Sequence, residues 1–137
     1  MKYIGLDLGS VTCGISISET GLIAQTVETL RFPKDDYDVA IDKVKEVIAR
    51  EKPDVIVLGY PLLENGDVGP RAMISEDFAK YLREETGLPV YLQDERNTTQ
   101  ESEAILLEAD VSRKKRKKVI DQLAAARILQ YYLDKNK

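Results

Sequence analysis

Acidic residues stand at three points where the sequence is otherwise apolar or composed of small residues. Asp7 interrupts an apolar segment near the N-terminus, and Asp94 and Glu95 directly follow a second one. Asp121 has the spacing to share one helical face with the alanines and the isoleucine that follow it. A carboxylate in such surroundings is costly unless a cation or hydrogen bonds compensate its charge. The pattern predicts that Asp7, one of the adjacent pair and Asp121 meet in one acidic centre.

The composition restricts the chemistry that this centre could perform. The 137-residue chain contains no histidine, which removes the usual general base, the histidine-dependent nucleophile pairs and the commonest zinc ligand. Mg²⁺, or Mn²⁺ in its place, prefers hard oxygen ligands and can activate water against a phosphodiester bond. We therefore expect a nuclease centre in which Asp7, Glu95 and Asp121 bind metal, with two ions that need not be held without substrate.

Each acidic position also has a purely structural interpretation. Asp7 could cap its own turn, and Asp121 could lie at the edge of a buried face and reach water. Adjacent strand residues point to opposite sides of a sheet, so only one of the Asp94–Glu95 pair can face a shared centre. We favour Glu95 as the inward acid and keep Asp94 as an open alternative. Arg96 could pair with either neighbour on the surface.

Six consecutive basic residues form a basic patch in a chain that is otherwise acidic. The net charge is −4 even with this run included. The run is expected in the first turns of the last helix, where the helix dipole disfavours cations, so bound phosphate would offset the repulsion. A solvated charged turn is the alternative. The predicted substrate contacts are the six basic residues, Arg113, Lys114, Lys115, Arg116, Lys117 and Lys118, together with Ser10, Thr12, Arg71 and Arg96.

The first part of the chain has the pattern of a three-stranded antiparallel meander. Strands are predicted over residues 2–8, 14–19 and 22–32, without a helix between them. A helix follows, capped by Asp35 or Asp36 and ended by Pro53. Its predicted buried residues are Ala40, Val44, Val47 and Ile48.

The second part of the chain alternates between strands and helices. Strands are predicted at 55–58 and 89–93, and residues 59–70 form a loop between the first of them and a helix that Gly87 terminates. Helices from Thr98 to about 109 and from a cap at Ser112 complete the order. The predicted buried residues are Ile74, Phe78, Tyr81 and Leu82 in the earlier helix, and Val119, Ile120, Leu123, Ala124 and Ile128 in the last one. This order describes an α/β fold, a mixed five-stranded sheet with helices on its faces.

The overall composition is that of a globular domain. The chain is 43% hydrophobic and 32% charged, and its length suits one domain over residues 1–137. Cys13 is the sole cysteine, and the N-terminus lacks the charged segment and apolar run of a signal peptide. We therefore expect a cytoplasmic protein without disulfide bonds or membrane association.

Four motifs in order give the chain a resemblance to a known family. They are GLDLGSVTCGIS from Gly5, GYPLLENGDVGPRA from Gly59, DERNTT from Asp94 and IDQLAAARIL from Ile120. The chain resembles the YqgF family, described as pre-16S rRNA nucleases and as Holliday-junction resolvase-like proteins. The resemblance implies an RNase H-like fold, and acidic catalytic positions at Asp7, at Asp94 or Glu95, and at Asp121.

Two residues of the first motif depart from the family's pattern. Thr12 stands where the family usually has an arginine, so one substrate contact implied by the resemblance is in doubt. Cys13 replaces a small aliphatic residue and is interpreted as a buried small hydrophobe.

Several functions remain open at the level of sequence. The preferred substrate is a ribosomal RNA precursor, with branched DNA second, and either could be bound by a monomer or a homodimer. A non-catalytic RNA-binding assembly factor is a further alternative. A sugar-kinase-like nucleotide-binding domain also begins with a strand followed by Asp-x-Gly, as at Asp7–Gly9, but needs a second such loop and a second domain.

Overall fold

A five-stranded mixed sheet forms the centre of the computed structural model. The structure describes the backbone of residues 1–96 and 113–136, and the side chains of residues 1–96 and 123–136. The strands are β1 (Tyr3–Leu8), β2 (Thr12–Ser18), β3 (Gln25–Arg31), β4 (Val55–Tyr60) and β5 (Val90–Asp94). Their order in the sheet is β3-β2-β1-β4-β5; β1 to β3 are antiparallel neighbours, and β4 and β5 run parallel to β1. The predicted meander and two parallel strands are confirmed.

Three helices of the described residues cover the two faces of the sheet. They are α1 (Tyr37–Glu51), α2 (Pro70–Thr86) and α3 (Arg113–Lys135). The larger apolar core lies between the sheet and helices α1 and α2, whereas α3 packs on the opposite face. None of the described helices is both long and apolar enough to cross a membrane. The helix expected from Thr98 and the cap expected at Ser112 lie outside the described residues.

Helix α1 begins and ends where its sequence indicates. The carboxylate of Asp36 accepts a hydrogen bond from the backbone N–H of Val39 at 3.3 Å, which satisfies a donor of the first turn. Lys52 adopts a left-handed conformation after the last turn, and Pro53 follows. All four residues predicted to be buried in this helix are buried.

Helix α2 packs through smaller side chains than the sequence pattern predicts. Gly87 ends the helix with φ +69°, as expected of a left-handed cap. The buried stripe consists of Ala72, Ser75, Phe78, Ala79 and Leu82. The prediction that Tyr81 is buried is wrong, because its side chain lies on the flank of this stripe and is 57% exposed. The small side chains let the helix backbone approach the sheet more closely than an aromatic stripe would allow.

Small residues also allow α3 to approach the opposite face. A Cβ atom on Gly5 would lie 2.8 Å from Leu129 Cβ and 3.1 Å from the carbonyl oxygen of Ala125. That carbonyl accepts a 2.7 Å hydrogen bond from the buried hydroxyl of Ser16. Of the residues predicted to be buried in this helix, Ala124 and Ile128 are buried and Leu123 is partly buried, whereas Val119 and Ile120 have no described side chains.

Strand β3 begins later than the sequence suggests. The sequence pattern includes residues 22–24 in it, but the strand starts at Gln25. The side-chain amide of Gln130 instead accepts from Ala24 N at 2.9 Å and donates to Leu22 O at 2.9 Å. A helix side chain thus satisfies backbone groups that a strand partner would otherwise have paired. Strand β4, in turn, extends through Tyr60 into the segment expected to be a loop.

Candidate active site

The carboxyl ends of three parallel neighbouring strands meet at one edge of the sheet. Asp7 lies near the end of β1, directly opposite Gly14 of β2. Gly59 lies near the end of β4, and Glu95 follows the last residue of β5. Open sheets place ligand sites at such an edge. The topology therefore brings Asp7 and Glu95 together from opposite halves of the sequence.

Glu95 occupies space that the absence of a side chain at Gly59 leaves free. A Cβ atom on Gly59 would collide with the Glu95 carboxylate and lie 2.7 Å from Ile128 Cδ1 of α3. The Glu95 backbone N–H donates to Tyr60 O at 3.4 Å, which continues the contact with β4 beyond the strand. The carboxylate is thus held between the sheet and α3, on the side of the sheet that α3 covers.

The surroundings of Glu95 oppose its ionisation. Burial, followed by the negative charge of Asp7, raises the pKa of Glu95 from 4.5 to about 8, and the positive charge of Arg71 acts in the opposite direction. Two carboxylates in one site repel each other, so the state in which both Asp7 and Glu95 are ionised is disfavoured. A cation bound between the carboxylates would remove this penalty.

Asp94 has a different partner from Glu95. Its carboxylate pairs with Arg96, with an Arg96 Nη2 to Asp94 Oδ2 distance of 2.7 Å and a second hydrogen bond from Arg96 Nε at 2.8 Å. These hydrogen bonds lower the pKa of Asp94. Arg96 Nη1 also donates to Glu64 O at 3.2 Å, which links the end of β5 to the loop after β4. Arg96 therefore pairs with a neighbouring acid, Asp94, which is the structural alternative stated for it from the sequence.

Arg71 lies beside the two acids, near the start of α2. Its Nη1 donates to the hydroxyl of Tyr37 at 2.9 Å, and its Nη2 donates to Leu8 O at 3.4 Å. The residue is partly buried. It contributes a positive charge that acts on Glu95. The structure therefore places one predicted substrate contact next to the acidic pair.

The turn between β1 and β2 places Ser10 and Thr12 close to Asp7 in the chain. Gly9 N donates to Thr12 O at 2.7 Å, which closes the turn, and Ser10 O accepts from Asp35 N at 2.8 Å. Both residues are partly exposed. The contacts described for them are structural ones that shape the rim of the site.

Cys13 packs into the larger core on the far side of the sheet from α3. Its side chain is fully buried, and burial, with a further contribution from the charge of Asp7, raises the pKa of its thiol. The interpretation of Cys13 as a buried small hydrophobe is confirmed.

The predicted third acid and the basic run belong to α3, but their side chains lie outside the described residues. These are Asp121 and residues 113–118. Helix α3 is described from Arg113 onward, and the basic run lies in the first turns that are described. Among the side chains that the structure describes, no cluster of three or more acidic or cysteine residues could hold a metal ion.

Two residues of this edge make contacts that the sequence pattern does not reveal. The pattern assigns Gly59 to a loop, although a glycine at the end of an apolar strand can signal close approach of another group. It marks Tyr37 only as the beginning of a helix. No local sequence signal connects Tyr37 with Arg71, which lies 34 residues further along the chain.

The order and directions of the five strands, with helices on both faces, define an RNase H-like fold. A solved structure with this fold is Thermus thermophilus RuvC in complex with a Holliday junction substrate, which superposes with a TM-score of 0.60. The match covers 99% of this chain and 96% of that chain at 17% identity. The likeness confirms the fold that the family resemblance implied.

The family itself follows from the sequence comparisons. The model of the family described as "RuvX: Holliday junction resolvase" matches residues 1–135. A Geobacillus kaustophilus (strain HTA426) protein named "Putative pre-16S rRNA nuclease" is 50% identical over 135 residues, which cover 98% of each chain. The chain belongs to the RuvX family, and the resemblance drawn from the four motifs is confirmed.

A sugar kinase is also among the solved structures that the chain resembles. The ROK hexokinase of Thermus thermophilus superposes with a TM-score of 0.52 at 25% identity. The match covers 72% of this chain but only 35% of the hexokinase. The hexokinase is therefore matched over about a third of its length, and the match of the RuvX family model to residues 1–135 replaces the sugar-kinase interpretation.

Proposed function

We propose that this chain is a divalent-metal-dependent nuclease that hydrolyses phosphodiester bonds. The observation that carries the proposal is the pairing of Asp7 with Glu95 at the edge of the sheet. Glu95 is pressed against Gly59, where its charged form is disfavoured. Membership of the RuvX family and the name of the Geobacillus relative support the same activity.

The donor set of the site fits Mg²⁺ or Mn²⁺. Asp7 and Glu95 offer carboxylate oxygens, the hard ligands that both ions accept. Because burial and the Asp7 charge hold a proton on Glu95, a bound cation would displace that proton and stabilise both carboxylates. When bound, such an ion supplies an activated water and neutralises charge on the phosphate.

Asp121 is proposed as the third acid of the centre. Tyr132 of α3 packs against Tyr3, and Leu129 and Ala125 lie over Gly5. The helix therefore runs antiparallel to β1, since lower helix numbers meet higher strand numbers. Asp121 lies one helical turn, about 5 Å, before Ala125, so its backbone lies nearer to the Asp7 end of β1.

Positive charge on two sides of the acids would bind the substrate backbone. We assign Arg71 to a phosphate next to the reacting bond, because its guanidinium is held by Tyr37 and Leu8 O and its positive charge acts on Glu95. The basic run at the start of α3 would bind phosphates further along the strand. Arg96 is assigned a supporting role, since its guanidinium is engaged by Asp94 and Glu64 O.

The first substrate to test is the precursor of 16S ribosomal RNA, the substrate named for the Geobacillus relative. Four-way junction DNA is the second, because the family description names a Holliday junction resolvase. Both substrates present phosphates to the same edge of the protein, so the metal-binding residues would be the same for either.

Cleavage assays with three substrates test the proposal. Labelled pre-16S rRNA fragment, single-stranded RNA and a four-way DNA junction are incubated with Mg²⁺, Mn²⁺ or EDTA, using the wild type and the Asp7→Asn and Asp121→Asn variants. We expect metal-dependent cutting that both substitutions abolish while binding persists. Binding without cutting by the wild type would instead support a non-catalytic assembly factor, and cutting that survives both substitutions would refute the proposed centre.

A further inference from the structure

The Tyr37 hydroxyl lies between Arg71 and an acidic residue that the proposed reaction does not use. It accepts a 2.9 Å hydrogen bond from Arg71 Nη1 and donates a 3.2 Å hydrogen bond to Asp35 Oδ1. The chain of contacts therefore runs from a carboxylate through a phenol to a guanidinium. It ends beside the Asp7–Glu95 pair.

The backbone holds this connection in place from its outer end. Asp35 has φ +59°, a left-handed conformation that is uncommon for a residue other than glycine. Its N–H donates to Ser10 O at 2.8 Å, so the segment before α1 is tied to the turn that follows Asp7. The ring of Tyr37 packs against Phe32 with centroids 6.0 Å apart. The hydroxyl is thus fixed by packing and by a hydrogen-bonded turn.

We propose that Tyr37 is a positioning residue that aligns the Arg71 guanidinium for a substrate phosphate. This inference rests on the proposed nuclease function and assigns Tyr37 no contact with the reacting atoms. Arginine has a long side chain, and fixing it before the substrate binds lowers the entropy lost on binding. Within the described residues, its bonds to Tyr37 and Leu8 O use two of five N–H donors, which leaves donors for phosphate oxygens.

Without the Tyr37 hydroxyl, Arg71 would keep the longer of its two hydrogen bonds, the one to Leu8 O at 3.4 Å. That single contact would allow the guanidinium to rotate. Phenylalanine at position 37 retains the ring and its packing against Phe32, so the Tyr37→Phe variant removes the hydroxyl alone. The matched control is Tyr81→Phe, because Tyr81 is an exposed tyrosine on α2.

A double-mutant cycle separates positioning from a general structural effect. We expect Tyr37→Phe to lower kcat/KM for the cleaved substrate by about 10-fold, the effect of losing one hydrogen bond to a charged group. In an Arg71→Ala background the same substitution should have no further effect, because its only route is through Arg71. Tyr81→Phe should match the wild type. An equal loss in both backgrounds would overturn the inference.

A second measurement does not depend on cleavage. The NMR order parameter of the Arg71 Nε–H bond reports how firmly the guanidinium is held. It should fall in Tyr37→Phe and stay unchanged in Tyr81→Phe. An unchanged value in Tyr37→Phe would overturn the inference even in an active nuclease. If the wild type cleaves no substrate, the proposed function fails, and the order parameter still decides whether Tyr37 positions Arg71.

Discussion

Replacing Glu95 with glutamine is expected to stabilise the metal-free protein while removing its activity. Burial and the charge of Asp7 raise the Glu95 pKa from 4.5 to about 8. Between these pH values the folded protein keeps a proton that the unfolded chain releases. The contribution of Glu95 to the free energy of unfolding is therefore fully present below about pH 4.5 and is lost as the pH rises toward 8. Glutamine has nearly the same shape as glutamate and no charge, so the fall in the free energy of unfolding between pH 4.5 and 8 should disappear in Glu95→Gln.

The size of the effect follows from the two pKa values. Each pH unit in this window changes the free energy of unfolding by up to about 1.4 kcal/mol. At pH 7 the upper limit is roughly 3 kcal/mol, and the interaction of Glu95 with Asp7 spreads part of the change over both groups. We expect Glu95→Gln to exceed the wild type by about 2 kcal/mol at pH 7.

Urea unfolding with EDTA at pH 5, 7 and 8.5 measures this difference. The control is Glu84→Gln, a substitution of an exposed glutamate on α2. Only Glu95→Gln should flatten the pH dependence between pH 5 and 8, and added Mg²⁺ should then stabilise the wild type but not this variant. A Glu95→Gln protein that keeps the slope of the wild type, or is less stable at pH 7, would refute the account of Glu95.

Two further predictions concern the space around the acids and the basic run. Gly59→Ala would push a methyl group against the Glu95 carboxylate and to 2.7 Å from Ile128 Cδ1, so it should destabilise the fold by about 1–3 kcal/mol and reduce metal-dependent cleavage. Thermal unfolding and cleavage assays measure both effects, and full activity would contradict the described packing. Combined alanine substitution of three lysines of the run should weaken substrate binding. It should also reduce the log–log slope of affinity against salt by about 0.7 for single strands, or about 0.9 for duplex DNA, for each phosphate that the protein no longer neutralises. Unchanged affinity would show that the substrate does not bind at the start of α3. The three lysines are Lys114, Lys115 and Lys117.

Most strands and helices follow from local patterns, and the errors arise where distant parts of the chain decide the structure. The predicted start of β3 is wrong because Gln130, 106 residues from Ala24, takes the backbone groups of the preceding segment. The prediction for Tyr81 fails because periodicity alone does not reveal which flank of an apolar stripe meets the sheet. Caps depend on the nearest residues, so Asp36 and Gly87 could be predicted.

The site shows the same division between local and distant effects. Alternation along a strand predicts that one of two adjacent acids faces inward, and the structure places Glu95 beside Asp7 while Asp94 pairs with Arg96. The space for Glu95 exists because Gly59 of β4 has no side chain. Strands β4 and β5 pair in the sheet although helix α2 lies between them in the sequence. Neither this pairing nor the Tyr37–Arg71 contact could be predicted from spacing.

We propose that the acidic centre uses Glu95 rather than its neighbour Asp94. Mg²⁺-dependent cleavage of a labelled pre-16S rRNA fragment by the Glu95→Gln and Asp94→Asn variants, each compared with the wild type, distinguishes the two acids. Glu95→Gln should lose cleavage at every Mg²⁺ concentration, whereas Asp94→Asn should keep most of it. Full activity in Glu95→Gln together with loss of activity in Asp94→Asn would show that Asp94 is the acid of the centre.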